Sequence, residues 1–305
     1  MTNSVLITGA TGMIGRRLTA ILLQKGCRVS HLGRKGSKGN VPSFQWDPDR
    51  GEIDVNAFKG IDTIIHLAGA GIADKRWSAE RKHEILDSRV RSTQLLLEAL
   101  RQNPHTVKTV VAASAIGFYG MGLDDKFYLE DSLPGSDFLA EVTRRWEEET
   151  VKFSTLGIRV VAIRIGIVLS TEGGALKEMI RPVAWGVGAP LGTGSQYVSW
   201  IHLDDLCKVF SMAVMNVSMQ GVYNAVAPKP VTNRDLTYAI AEVLQRKIWL
   251  PPVPSFILKV LLGEMADMVT LGNRVSCQRL LDTGFTFEYP ELKGALIDLV
   301  RTEPT

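Results

Sequence analysis

Cysteine is scarce in this chain. Only Cys27, Cys207 and Cys277 occur among 305 residues, and an odd number so widely spaced supplies neither a disulfide framework nor the paired spacing of a thiolate metal site. A reducing compartment is expected, and a metal centre is not. No apolar run approaches the ~18 residues that a membrane helix needs, and the first residues lack the basic stretch and apolar core of a secretory signal. Neither sign of charge is in marked excess: 35 basic against 32 acidic residues leave +3. Spread along the chain, that charge makes no electrostatic case for nucleic acid. Repeats and low-complexity tracts are missing as well. What remains is an ordinary globular composition, 45% hydrophobic and 22% charged, expected in the cytoplasm without membrane or nucleic-acid partners. The length suits one large domain with an appendage, or two domains.

The most informative stretch is Ser4 to Gly15, SVLITGATGMIG. Val5, Leu6 and Ile7 form a short apolar run of the kind buried on both faces of a parallel sheet. From Met13 the apolar residues fall at Ile14, Leu18, Ile21 and Leu22, one face of a helix. Between them Gly9, Gly12 and Gly15 let the backbone turn sharply, approach a ligand and pack the helix on the strand. Thr11, Met13 and Ile14 complete the turn, and the helix start offers free N–H groups to a pyrophosphate. A second strand, Arg28 to Leu32, follows, which is the context that a dinucleotide site requires.

That strand runs into HLGRKGS, and no Asp or Glu occurs between Gly15 and Trp46. An acidic residue there would bond the 2′-hydroxyl of NAD, whereas Arg34 and Lys35 suit the 2′-phosphate of NADP, with Ser37 adding a hydroxyl. Arg34 leads because its planar fork grips phosphate and stacks on adenine. The expected cofactor is NADP(H). Phe44 to Trp46 reads as a third strand turning at Asp47-Pro48, where Asp47 either contacts adenine or stabilises the turn. Thr63 to Leu67 is a fourth strand, and Ala68-Gly69-Ala70-Gly71 leaves it with almost no side-chain bulk, which either permits close approach of the cofactor at Leu67, Ala68 and Gly69 or only tight packing.

Ala79 to Leu100 has the pattern of a crossover helix. Thr109 to Ala113 is a fifth strand, leading into Ser114 and Tyr119. A helix capped by Asp137 carries a core stripe of Leu139, Val142, Trp146 and Phe153, and Arg159 to Ile165 is the sixth strand. The alternation predicts an α/β fold, a doubly wound parallel sheet of Rossmann type over residues 1–170, with a smaller C-terminal substrate lobe over residues 171–305. Elements at about 197–226 return to the sheet: a strand from Tyr197 to His202, a helix from Asp204 to Met215, and a strand from Val222 to Ala225. Helical segments follow at Arg234 to Leu244, Ser255 to Leu262 and Arg274 to Asp282.

GATGMIG, HLAGAG, the FYG after the fifth strand and VSWIHLDDL occur in an order that resembles the extended short-chain dehydrogenase/reductases, the NAD-dependent epimerase/dehydratase superfamily. Lys75-Arg-Trp77, Asp87-Ser-Arg89 and Gly192 to Trp200 look like its atypical sugar-nucleotide epimerase-like branch, with a C-terminal segment of unassigned role at Leu250 to Val300. The resemblance implies a Ser or Thr four residues before the FYG tyrosine and a Tyr-x-x-x-Lys helix beyond it. Those positions hold Ala115, Phe138 and Val142, and the asparagine common on the crossover helix corresponds to Arg89. The fold carries over, and the usual catalytic set is replaced.

Candidates to take its place are Tyr119, Ser114 and His202. Each has a plainer alternative: packing beside the nicotinamide for Tyr119, the opposite strand face for Ser114, and a core bridge for His202. For the substrate, Gln196 and Trp200 offer hydrogen bonding and stacking, while Arg89, Arg76 and Arg181 could meet a phosphate or carboxylate. The expected function is an NADP(H)-dependent epimerase or reductase acting on a nucleotide-sugar or phosphorylated small molecule, with a homodimer as an option. The alternative is a non-catalytic NADP(H) sensor.

Overall fold

The computed structural model describes residues 3–36, 40–123 and 125–301. Its strands are β1 (Ser4–Thr8), β2 (Arg28–Gly33), β3 (Ser43–Asp47), β4 (Glu52–Ile53), β5 (Thr63–His66), β6 (Thr109–Ala115), β7 (Phe127–Tyr128), β8 (Arg159–Ile165), β9 (Ile167–Leu169), β10 (Tyr197–Val198), β11 (Trp200–His202), β12 (Gly221–Ala225), β13 (Val231–Thr232) and β14 (Arg274–Val275). The helices are α1 (Met13–Gln24), α2 (Ala79–Gln102), α3 (Phe138–Val151), α4 (Ala175–Ala184), α5 (Leu203–Met215), α6 (Asn233–Val243), α7 (Ser255–Leu262), α8 (Asp267–Thr270), α9 (Gln278–Leu281) and α10 (Leu292–Arg301).

Among the described residues the main sheet is ordered β12, β8, β6, β5, β1, β2, β3, β4, and every pair is parallel except the edge pair β3 and β4. The chain leaves β1 outward through β2 and β3, then crosses back to β5 on the other flank of β1. The strand order therefore reverses between β1 and β5, and ligands of such sheets sit in the crevice outside the carboxyl ends at that place.

Alternation along the strands sorts the core into two layers. Val5 and Ile7 of β1 face Leu18 and Leu22 of α1 and Leu206 and Phe210 of α5, all buried. Leu6 faces the other way, into a cluster with Ile64, Leu96, Leu100 and Phe153. Each such fully buried side chain contributes about 1.5–3 kcal/mol. A third cluster, with Leu176, Trp200, Leu236, Ile240 and Leu296, forms the core of the C-terminal lobe. That lobe is interleaved with the sheet: β12 pairs with β8, and α5 packs on α1. Among the described residues no helix is long and apolar enough to cross a membrane.

The structure departs from the pattern reading in three places. The stretch from Tyr197 to His202 is two strands, because β10 pairs antiparallel with β13 while β11 pairs parallel with β9. Ser199, between them, donates to the Asn273 carbonyl at 2.8 Å and accepts from the Val275 N–H at 3.0 Å. The expected helix at Arg274 to Asp282 shrinks to α9, since Arg274 and Val275 are drawn into parallel pairing with β7; long-range pairing overrides a local helical pattern. The pattern placed neither α4, which carries Pro182 inside it, nor α8, and α10 closes the third core.

Candidate active site

β1 ends at Thr8, and the four residues before α1 make the turn. Gly9 takes φ +67°, and a Cβ there would lie 2.9 Å from the carbonyl carbon and oxygen of Leu67. A side chain would push β1 and β5 apart at the point where the strand order reverses. Gly12 N–H donates to the Gly9 carbonyl at 3.0 Å. A Cβ on Gly15 would come within 2.5 Å of that oxygen, so α1 packs on the turn only without one. Gly12 caps α1 with no side-chain hydrogen bond, Thr11 and Gly12 are exposed, and Met13 and Ile14 are half-buried. The first-turn N–H groups and the positive helix end remain available to an anion.

The far wall is Leu67, Ala68 and Gly69. Thr8 Oγ1 accepts from the Leu67 and Ala68 N–H groups at 3.1 and 3.2 Å and bonds His66 Nδ1 at 2.8 Å. Burial first, and the charge of Arg89 second, drive the His66 pKa down to about 3. This histidine is neutral and joins the strand ends to Thr93 on α2 at 3.1 Å.

Beyond β2, Arg34 and Lys35 are exposed. The Glu84 carboxyl is held below its ordinary value chiefly by the Arg81 hydrogen bond, with the charges of Lys75 and Arg34 adding to it. The end of β2 thus lies beside the first turns of α2. Ser37 lies outside the described residues. Asp47 accepts from the Asp49 and Arg50 N–H groups at 3.0 and 3.3 Å, which is the turn-stabilising role.

The three positions where the resemblance puts hydroxyl, phenol and amine hold no proton-transfer group. Ala115 ends β6, Val142 is buried, and the Phe138 ring meets Trp77 edge-on at 5.1 Å between centroids. Tyr119 and Ser114 are engaged in a network of their own. Ser114, Arg164 and Asn224 are register neighbours across β6, β8 and β12, so their side chains share one face at the carboxyl ends of the strands. Ser114 Oγ donates to Glu147 Oε1 at 2.5 Å, and Arg164 holds both Glu147 oxygens at 2.8 Å. Tyr119 donates to Asn224 Oδ1 at 2.7 Å and accepts from Arg164 Nη1 at 2.9 Å. Burial outweighs Arg164 and Asn224, and the phenol is pushed up to about 12. With its hydroxyl engaged on both sides, Tyr119 is a member of a buried network.

His202 is also placed elsewhere. It caps α5, accepting from the Asp204 N–H at 3.1 Å, stacks on Tyr289 at 3.9 Å and lies 3.4 Å from Asp298 of α10. Burial lowers its pKa against the pull of Asp204 and Asp298. It bridges a strand and two helices under the C-terminal lobe. Trp200 is fully buried in the third core and donates to the Lys229 carbonyl at 3.1 Å, so it is no stacking platform. Gln196 is buried with its amide nitrogen on the Leu191 and Val269 carbonyls, and Oε1 has no partner among the described residues. Arg181 pairs with Glu178 at the surface.

The C-terminal segment supplies groups that the sequence did not point to. Asn273 Nδ2 donates to the Gly120 carbonyl, Gly272 N–H to the Gly122 carbonyl at 2.8 Å, and Glu264 pairs with Lys82 at the start of α2. Residues 264–276 thereby strap the sheet side to the C-terminal lobe. No spacing signals these partners, because each lies more than a hundred residues away.

Comparison with known proteins follows this geometry. The model of the NAD dependent epimerase/dehydratase family matches residues 5–225, and that of a domain of unknown function, DUF1731, matches residues 253–299. Epimerase family protein YfhF of Bacillus subtilis is 35% identical over 99% of both chains. The chloroplastic epimerase family protein SDR39U1 homolog of Arabidopsis thaliana is 39% identical, covering 96% of this chain and 85% of its own. The crystal structure of human epimerase family protein SDR39U1 (isoform 2) with NADPH superposes with a TM-score of 0.89 at 32% identity, over 98% of this chain and 100% of that one. UDP-glucose 4-epimerase of Thermus thermophilus, in complex with NAD, shares the fold at a TM-score of 0.77 and 22% identity, over 98% of this chain and 99% of that one.

Proposed function

Since the chain belongs to the NAD-dependent epimerase/dehydratase family, we propose that it prefers NADP(H) among the dinucleotides and acts on a polar, nucleotide-sugar or phosphorylated small molecule without the usual catalytic trio. One observation carries the cofactor reading. The turn has no room for a Cβ at Gly9 or Gly15, and it opens toward a strand end whose charged residues are Arg34 and Lys35. Gly9, Gly12 and Gly15 would admit the pyrophosphate to the N–H groups of α1. Arg34 and Lys35 would pair with the 2′-phosphate, and Leu67 to Gly69 would wall the nicotinamide half. A bound nicotinamide supplies hydride chemistry. The human relative crystallised with NADPH supports the choice of NADP(H).

The ribose assignment is tested by Arg34→Ala. NADPH should bind about tenfold or more weakly, with NADH nearly unchanged, because one cofactor alone loses a charge-assisted contact. Equal losses for both would remove the assignment. A second reading, a cofactor-binding sensor without turnover, is favoured by Ala115, Phe138 and Val142 together with the engaged hydroxyls of Ser114 and Tyr119. Transient spectra of the bound cofactor, recorded with nucleotide-sugars and small carbonyl compounds, separate the two. Hydride transfer with any of them excludes the sensor.

A further inference from the structure

Among the described residues three arginines are buried, Arg81, Arg89 and Arg164, and the structure treats them differently: Arg81 bonds Glu84 and the Gly71 carbonyl. Arg164, 3% exposed, makes four hydrogen bonds, two to the Glu147 carboxylate and one each to the Tyr119 hydroxyl and the Glu130 carbonyl. Arg89, 8% exposed, has no carboxylate partner among the described residues. Its one hydrogen bond there runs from Nη1 to the Ile85 carbonyl of its own helix at 2.9 Å. A guanidinium taken from water without a counter-charge is costly, and the neighbourhood adds to the cost. Arg81 repels it, and with burial as the larger cause its pKa falls to about 10, so it stays charged at neutral pH.

Its position gives that charge a use. The guanidinium carbon lies 5.2 Å from the Trp146 ring centroid and 3.1 Å from where a Cβ on Gly69 would be. Gly69 is exposed and belongs to the wall of the crevice on the β5 flank, so a single glycine separates a buried cation from the ligand space. Lys75, Arg81 and Arg34 lie close by, near enough to act together on Glu84.

We propose that Arg89 is an oxyanion-recognition residue, whose guanidinium takes a phosphate or carboxylate oxygen of the molecule bound on the β5 flank of the crevice. The inference rests on the crevice being the cofactor and substrate site. The oxyanion comes either from the cofactor's own phosphates or from an anionic substrate.

The test uses the full chain with Arg89→Gln and Arg89→Lys. NADPH affinity is measured first. The NADPH-saturated protein is then titrated with inorganic phosphate, pyrophosphate and pyruvate, with methyl pyruvate as the uncharged control, and melting is followed. If the cofactor supplies the oxyanion, Arg89→Gln weakens NADPH binding by about tenfold or more. If the substrate supplies it, NADPH affinity holds, at least one anion stabilises the wild type, methyl pyruvate does not, and the variant loses the response. Arg89→Lys, which keeps charge but not the fork, gives a smaller loss of the same kind and serves alone if Arg89→Gln does not fold. Unchanged NADPH affinity together with no Arg89-dependent anion response overturns the proposal and leaves a packing group on Trp146. A wild type that binds no NADPH removes the cofactor reading instead, and the same anions titrated onto the cofactor-free protein then decide Arg89.

Discussion

Tyr119 is valuable to the fold through its hydroxyl, not through its proton. Tyr119→Phe keeps the ring but leaves Asn224 Oδ1 and Arg164 Nη1 each short of a partner in a buried site. Such a loss costs about 1–3 kcal/mol, so urea unfolding should shift by that amount while NADPH affinity stays near wild type. A fall in NADPH affinity with stability intact would put the phenol in the nicotinamide pocket after all. His66 carries a pH signature. Its folded pKa, about 3, lies below the ordinary 6.5; the fold keeps it neutral while the unfolded chain takes a proton. Stability is complete above the unfolded value and is lost as pH falls below it, by about 1.4 kcal/mol per unit from this group. Denaturation at pH 7 and pH 5 should show a drop of roughly 2 kcal/mol that His66→Gln abolishes. An equal drop in the variant would assign the pH dependence to other groups.

At the scale of elements, α3 is held to the sheet by one ion pair as well as by its apolar stripe. Glu147 sits across from β8 and neutralises Arg164, itself 3% exposed, through two hydrogen bonds of 2.8 Å. Glu147→Ala leaves that cation uncompensated, at a cost of about 3–5 kcal/mol, whereas replacing both residues by methionine should recover most of it. Equilibrium unfolding of the two variants checks this, and a single-variant loss below about 1 kcal/mol would show that the apolar stripe alone anchors α3. The same network ties the carboxyl ends of β6, β8 and β12 to α3. Polar groups are present in number, but they are spent on each other.

The whole molecule should unfold as one unit. β12 belongs to the main sheet though it follows α5 in the chain, and Asp205, fully buried on α5, accepts from the Glu288 and Tyr289 N–H groups at 2.8 and 2.9 Å. A chain ending at residue 249 would strip that carboxylate of both donors and uncover Trp200 and Ile240, so it is expected to aggregate or to melt far below the full chain. Far-ultraviolet circular dichroism and tryptophan emission of the full chain should trace coincident urea transitions. Separate transitions would mean that the C-terminal lobe is an independent folding unit.

Period and backbone freedom are local properties, and whatever depended on them was legible in the chain: the strand–glycine–helix turn at Gly9 to Gly15, the two-layer alternation around β1 and the basic strand end at Arg34; that Ala115 and Phe138 stand where a hydroxyl and a phenol are expected came from the resemblance. The partner of a polar side chain is set by which strands lie side by side and in what register. Tyr119 meets Asn224 across 105 residues, and Asn273 meets Gly120 across 153. No pattern along the chain carries such a pairing. Tertiary structure alone therefore placed Tyr119 and Ser114 in a buried network, sent His202 to cap a helix and Trp200 into a core, and left Arg89 charged and buried beside the crevice without a carboxylate partner among the described residues.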